Sequence, residues 1–400
     1  MARPDEACVM NLEPATEAEL ADAIREAAAA RRPLAIEGGG TRAGLGRPAQ
    51  TERTLSLANL AGITLYEPAE LVISARAGTP LAEIEQTLSE RGQMLAFEPS
   101  DARALYGSEG APSIGAIAAC NISGPRRISH GAARDSFIGV RLVNGTGEIV
   151  KNGGRVMKNV TGLDLVKLSS GAHGTLGAMS EVTFKVLPRP ETEATILVSS
   201  LNDAAAIDVL SRGLCSPFEV SGAAHLPAGI GGSEARTLLR IENFAPSVSY
   251  RARALRDLLQ AGEILDAEAS RTLWREIGAC AAFAHPDTRA LWRISTAPTR
   301  APELVAHIRR SLDARHFYDW GGGLVWLAAP DTGDAGASII RAATAAFGGH
   351  ATLVRASVET RAAVDVFEPL AAPVMTLTKG IKAAFDPQAI LNPGRMYAGV

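Results

Sequence analysis

The stretch Glu37-Gly38-Gly39-Gly40-Thr41-Arg42-Ala43-Gly44-Leu45-Gly46 constrains this chain more than any other. It follows directly on Pro33-Leu34-Ala35-Ile36, a short apolar run that reads as a strand. Glycines lack Cβ, turn at positive φ and let backbone N–H groups converge on an anion. Thr41 adds a hydroxyl and Arg42 a fixed cation, so the expected guest is a phosphate or pyrophosphate. The plain alternative is a glycine-rich turn that holds nothing. Two familiar phosphate loops are excluded. A G-x-G-x-x-G fingerprint must open a helix, whereas Arg47–Glu52 has no helical apolar period and leads into strand-like Thr54-Leu55-Ser56-Leu57. The Walker pattern fails because Leu45 stands where its lysine belongs. The loop therefore sits on a strand–loop–strand frame.

A length of 400 residues predicts two or three domains, since single cores rarely grow past about 250–300 residues. The net charge of −3 and the isolation of pairs such as Arg126-Arg127 argue against nucleic acid as a partner. Cys8, Cys120, Cys215 and Cys280 are scattered with no C-x-x-C pair, so neither an iron–sulfur cluster nor a metal site is expected on this chain. A reduced, cytoplasmic setting fits. The N-terminus has no apolar segment of secretory type, and no run of about 18 apolar residues predicts a membrane span. Peripheral attachment to the inner membrane through partners stays open.

Along the chain, Thr16 and Glu19 predict a capped helix to about Arg31, with Leu20 and Ile24 on its buried face. Glu70–Ala77 reads as a strand, and Thr79 as the N-cap of a helix that Pro80 opens and Gly92 stops. Residues 15–100 then form a small α/β unit. The stretch 112–188 is a second one, with strands at Phe137–Val143, Glu148–Lys151, Leu165–Leu168 and Met179–Val186. After 190, five strand-like runs alternate with helices near 202–213, 247–260, 267–280, 301–313 and 335–347, which suits an antiparallel sheet with helices on one face. A helix near 374–385 precedes the turn Asp386–Arg395.

These signals together resemble the FAD-binding oxidoreductases of the vanillyl-alcohol-oxidase and p-cresol-methylhydroxylase (PCMH) type. Gly38–Thr41 is similar to their Gly-Gly-Gly-Thr pyrophosphate loop. Ser113–Gly124 resembles their second flavin loop, Arg134-Asp135 with Gly139-Val140 their R-D-x-x-x-G-V strand, and Gly174–Val182 their G-T-L-G-V-I-T-E segment. Asp386–Arg395 resembles their D-P-x-x-x-L-N-P-G-K ending. Gly153–Leu165, Phe317–Leu327 and Gly124-Pro125-Arg126-Arg127 extend the likeness to the FAD-binding E subunits of bacterial glycolate oxidases. The resemblance implies an α+β fold. Residues 1–190 would form a PCMH-type FAD-binding domain of two α/β subdomains, 191–373 a ferredoxin-like cap with an antiparallel sheet, and 374–400 a tail returning to the FAD domain.

What the resemblance implies for the site is specific. FAD is bound without a covalent link, since Thr41 stands where flavinylated relatives carry histidine. Cofactor-binding positions are Gly38, Gly39, Gly40, Thr41, Arg42, Leu45 and Gly46 in the first loop, and Ser113, Gly115, Ala116, Ala119, Asn121 and Gly124 in the second. Gly131, Arg134, Glu181, Val182 and Asn392 complete them. The small residues of the second loop are expected to let the flat isoalloxazine approach, and Asn121 and Ser123 to bond its edge. His130 is the candidate proton acceptor, with His173 as another flanking histidine; Arg355 and Arg395 are candidates for a substrate carboxylate. The implied reaction takes a hydride from a 2-hydroxy acid, glycolate or D-lactate, onto flavin N5. Electrons then pass to a second flavoprotein subunit and an iron–sulfur subunit of a glycolate oxidase complex. The paired-histidine motif of metal-dependent relatives is missing, because His225, His285, His307, His316 and His350 stand singly. That favours the alternative of a flavin-carrying structural or relay subunit without its own substrate chemistry.

Overall fold

The computed structural model describes residues 11–154 and 162–400. Cys8, the acidic N-terminus and the Arg155–Thr161 part of the motif noted above lie outside the described residues. The first helix, Glu17–Ala30, begins where Thr16 Oγ1 accepts the Glu19 N–H at 3.2 Å. Glu19 reaches back to the N–H of Ala15, a near relative of the capping box. Its buried residues Leu20, Ala21, Ile24 and Ala27 pack on a parallel pair, β1 (Leu34–Glu37) and β2 (Arg53–Ser56). The C-terminal tail joins this layer, with Leu391 bridging Leu34 and packing in the same core.

The next strands are β3 (Ile63–Glu67), β4 (Val72–Arg76), β5 (Gln93–Met94), β6 (Phe137–Val143), β7 (Ile149–Gly153), β8 (Ala178–Lys185) and β9 (Leu187–Pro188). Five of them form one antiparallel sheet in the order β3-β4-β8-β6-β7, while β5 and β9 make a separate short pair. The sequence separates 15–100 from 112–188, but the structure interleaves them. Val72, Ile73, Ser74 and Ala75 are all buried, so β4 takes a neighbour on each edge, one from either stretch. Two local expectations change. Thr79 is fully buried and its hydroxyl bonds the Arg76 and Gly62 carbonyls, so the helix Leu81–Ser89 starts without a side-chain cap. Leu165–Leu168 lies in a short helix, Leu165–Ser169, because Asp164 accepts the Lys167 N–H as an N-cap.

The cap is one eight-stranded sheet: β10 (Thr192–Ser199), β11 (Val220–Leu226), β12 (Arg236–Asn243), β13 (Glu263–Leu265), β14 (Ala290–Ser295), β15 (Arg315–Asp319), β16 (Leu324–Ala329) and β17 (His350–Arg355). Its order is β13-β10-β12-β11-β15-β16-β14-β17. That is two β-α-β-β-α-β units set edge to edge, with helices Asp203–Leu214 and Ala245–Leu259 in the first, and Ala301–Arg309 and Ala337–Phe347 in the second. One face buries Trp292, Tyr318, Leu239 and Ile241 under the helices. The opposite face, with Leu291, Phe317, Ala224 and Leu238, meets Leu45, Ala102 and Leu105 of the first domain.

Candidate FAD site

The glycine loop leaves β1 and lies against the segment Ala111–Ala116, which continues into the helix Ile114–Cys120. At Gly39 the contact is backbone on backbone, and at Gly38 it is against a serine side chain. A Cβ on Gly39 would stand 1.9 Å from the Ala111 carbonyl oxygen, and one on Gly38 2.2 Å from Ser113 Oγ. Gly115 is equally constrained, since its Cβ would meet that of Ala77 at 2.5 Å. For Gly115 the physical reason differs from the isoalloxazine approach expected of the second loop, and Gly38 and Gly39 have a packing role besides the expected anion turn. All three let neighbouring segments of the protein close on each other. Gly40 is the exception: at φ +69° it turns the chain while its open side meets nothing nearer than Glu37 at 3.8 Å.

Between the loops is a narrow cleft of ≈ 80 Å³, or ≈ 700 Å³ with its open mouth counted. Gly38, Gly39, Gly40, Thr41, Arg42, Ser113, Gly115, Ala116, Ala119 and Arg395 line it, as do Ala77, Cys120, His173, Gly174, Gly177 and Met179. Arg42 and Arg395 are its cations, against one carboxylate, Glu37. Arg42 donates to the Ser100 carbonyl at 2.5 Å, and Arg395 to the Arg42 carbonyl at 3.3 Å, so the second cation is anchored on the backbone of the first.

His173, which the sequence offers beside His130 as a flanking histidine and candidate proton acceptor, lines the cavity. Its N–H bonds the Ala119 carbonyl at 2.9 Å, its ring packs on Phe367, and its Nδ1 is buried without a hydrogen-bond partner. Burial, then the charges of Arg395 and Arg42, push its pKa down to about 3. The imidazole is neutral at working pH. FAD fits these residues: two cations and a glycine turn would suit its pyrophosphate dianion, and His173, whose buried Nδ1 has no hydrogen-bond partner, is among the lining residues.

Other expected positions lie nearby without lining the cavity. Leu45 is core, and Gly46 gives its carbonyl to Arg361 at 2.9 Å. Asn121 Oδ1 accepts the Arg134 N–H, and Ser123 Oγ the Ala133 N–H, so both shape the turn before β6. Gly124 packs on the Glu98 carbonyl, and Gly131 beside Asp135. Val182 is buried in the sheet core, with Glu181 between Arg76 and Arg141 on neighbouring strands. Asn392 bonds the Ile36 N–H at 2.9 Å and the His173 carbonyl at 2.8 Å, tying the tail to both walls. His130 bonds Ser129 Oγ in a separate cleft beside Glu242. Arg355 gives its guanidinium to the carbonyls of Leu105, Phe283 and Arg289. The geometry gathers Arg395 into the cavity and leaves His130 and Arg355 outside it. His225 and His316, single in the sequence, converge on Asp203 at 3.5 and 2.8 Å, under the helices of the cap. Among the described residues, no helix is long and apolar enough to cross a membrane.

A family described as an FAD binding domain matches residues 10–153. In solved structures of alkyldihydroxyacetonephosphate synthase, one chain superposes with a TM-score of 0.66 at 15% identity, over 96% of this chain and 76% of that one. The fold is thus that of a PCMH-type flavoprotein, with an FAD-binding domain under an antiparallel cap. Glycolate oxidase subunit GlcE of Escherichia coli (strain K12) is 36% identical over 381 residues, covering 95% of this chain and 97% of that protein. Glycolate oxidase subunit GlcD of Bacillus subtilis (strain 168) is 36% identical over 125 residues, which is 31% of this chain and 25% of that one. D-lactate dehydrogenase of Anaerostipes hadrus is 30% identical over 154 residues, 38% of this chain and 31% of that one. The chain belongs to the glycolate oxidase subunit GlcE family.

Proposed function

We propose that this chain is the FAD-carrying subunit of a multi-subunit oxidoreductase for small 2-hydroxy acids, glycolate or D-lactate. It works beside a second flavoprotein subunit and an iron–sulfur subunit. The observation that supports this best is the full-length similarity to subunit GlcE, joined to a cavity whose residues suit FAD. When bound, FAD supplies a two-electron acceptor for the oxidation.

The chain's own residues do the holding. Arg42 and Arg395 would neutralise the pyrophosphate, with the N–H groups of the Gly38–Arg42 turn beside them as further donors. His173, kept neutral, offers Nδ1 as a hydrogen-bonding group that carries no charge. Cys120 lines the cavity, but burial pushes its thiol pKa up, so it stays protonated and is a poor nucleophile. The hold is non-covalent on this reading.

A second reading, an electron-relay subunit, has one observation in its favour. The cap face toward the FAD domain is packed with Phe283, Leu291 and Phe317 against Leu45 and Tyr106, and this apolar filling occupies the domain junction. Anaerobic addition of glycolate or D-lactate to the purified chain separates the two. Bleaching of the flavin band supports intrinsic oxidation, an unchanged spectrum supports the relay, and protein that cannot take up FAD overturns both.

A further inference from the structure

The FAD-facing side of the cap sheet changes character at one corner. Arg293 on β14 alternates with Trp292 and so shares the face of Leu291; Asp319 ends β15 on the face of Phe317. From the first domain, Arg127 reaches the same corner. Trp320 lies between the two domains. Its ring centroid is 4.7 Å from the Arg127 guanidinium carbon and 5.2 Å from that of Arg293, and its indole N–H donates to the Gly124 carbonyl at 3.1 Å. Trp320 holds φ +52°, and Gly321 and Gly322 follow at +66° and +100°. So bulky a side chain is rarely found in that region, and such strain gathers at functional positions.

What distinguishes this corner is the state of its arginines. Elsewhere in the junction, Arg126 and Arg240 are fully engaged, with bonds of 2.7–3.1 Å to Glu98 and Glu242. The guanidinium groups of Arg127 and Arg293 have no hydrogen bond or ion pair among the described residues, only the shared indole. Burial and mutual repulsion pull the Arg293 pKa down to about 10, and burial lowers that of Arg127. Asp319 makes no ion pair with either arginine among the described residues. Its one hydrogen bond is from the Trp320 N–H at 2.7 Å, and burial raises its pKa to about 7. Asp135 acts favourably on Arg127 and Asp319 on Arg293, but neither forms an ion pair with these arginines among the described residues, and two partly desolvated cations without a paired carboxylate are costly to maintain. An anion removes that cost, and the planar guanidinium fork suits a carboxylate, which it can hold with two parallel bonds.

We propose that Arg127 and Arg293, stacked on Trp320 at the junction of the two domains, form a binding site for a small carboxylate. The 2-hydroxy acid of the proposed reaction is such a carboxylate, and the assignment rests on that reading. One arginine comes from each domain, so occupancy also ties the cap to the FAD domain.

The test is calorimetric titration of the full-length chain with glycolate at low ionic strength, run in parallel with inorganic phosphate and with bound FAD quantified in each sample. Saturable glycolate binding is expected, weakened about tenfold or more in Arg127→Gln and in Arg293→Gln, with FAD content unchanged in both. Arg293→Lys, which keeps the charge and loses the fork, should fall between. Colourless protein that still binds glycolate through both arginines supports the site and sinks the flavin reading alone. Yellow protein with no saturable glycolate binding overturns the site, as does equal binding by the wild type and both glutamine variants. Phosphate binding as tight as glycolate overturns the carboxylate assignment.

Discussion

The side-chain amide of Asn392 donates to the His173 carbonyl at 2.8 Å while its oxygen accepts the Ile36 N–H at 2.9 Å. One buried residue of the tail thus fixes the strand that launches the first loop and the turn that carries the orphaned imidazole. The tail is a structural part of the cavity, and the left-handed turn at Gly174 brings the two within reach.

Replacing Asn392 with alanine leaves a buried N–H and a buried carbonyl unpaired. A loss of roughly 2–4 kcal/mol follows from the usual penalty for such groups. Urea unfolding of the Asn392→Ala protein checks it, and FAD retention should drop in parallel.

On the proposed reading, Arg42 and Arg395 together hold the anionic part of the cofactor. Removing either charge, as in Arg42→Met or Arg395→Met, should weaken FAD binding by about 10- to 100-fold, the size of one charge-assisted contact. Fluorescence titration of the stripped protein with FAD gives the constant. The effect should shrink as salt rises.

His173 predicts a pH dependence with a definite sign. Its folded pKa, about 3, lies below the unfolded value near 6.5. Between these values the unfolded chain binds a proton that the folded chain does not, so stability falls as pH drops through that window. The effect amounts to a few kcal/mol, roughly, for a group this buried. In His173→Gln the slope of melting temperature against pH between 6.5 and 4 should be visibly flatter.

Glu98 of the first domain holds Arg240 of the cap through two bonds of 2.9 Å, and Glu242 binds both Arg240 and Arg126. Glu98→Gln leaves Arg240, 1% exposed, short of its counter-charge, at a cost of about 3–5 kcal/mol. The opposing charges lower the Glu98 pKa and bring that of Glu242 to about 2. Their contribution is present above the ordinary carboxylate range and lost as pH falls below it. Limited proteolysis should show the cap of the Glu98→Gln protein cut sooner than that of the wild type.

The sequence was most informative where composition is unusual. The glycine loop, the Ser113–Gly124 segment and the Asp386–Arg395 ending all lie on or behind the cavity, because Gly, small residues and a capped turn leave a local trace. Three things left none. The pairing of β4 with β8 joins residues about a hundred positions apart, and nothing in Val72–Arg76 names its partner. The strands β13, β15 and β17 are short or mixed in polarity; β15 reads Arg-His-Phe-Tyr-Asp, and its burial comes from the sheet around it. His173 looks like any single histidine until the fold removes every partner of its Nδ1. The loop glycines are visible in the sequence, but what they make room for, the backbone and small side chains of the facing loop and strand end, is not.

The central claim is that this cavity holds FAD without a covalent bond. Acid precipitation of the purified, FAD-reconstituted chain, with flavin measured in the supernatant and the pellet, tests it directly. The account predicts one FAD per chain, all of it in the supernatant. Flavin retained in the pellet, or a chain that takes up none, would contradict it.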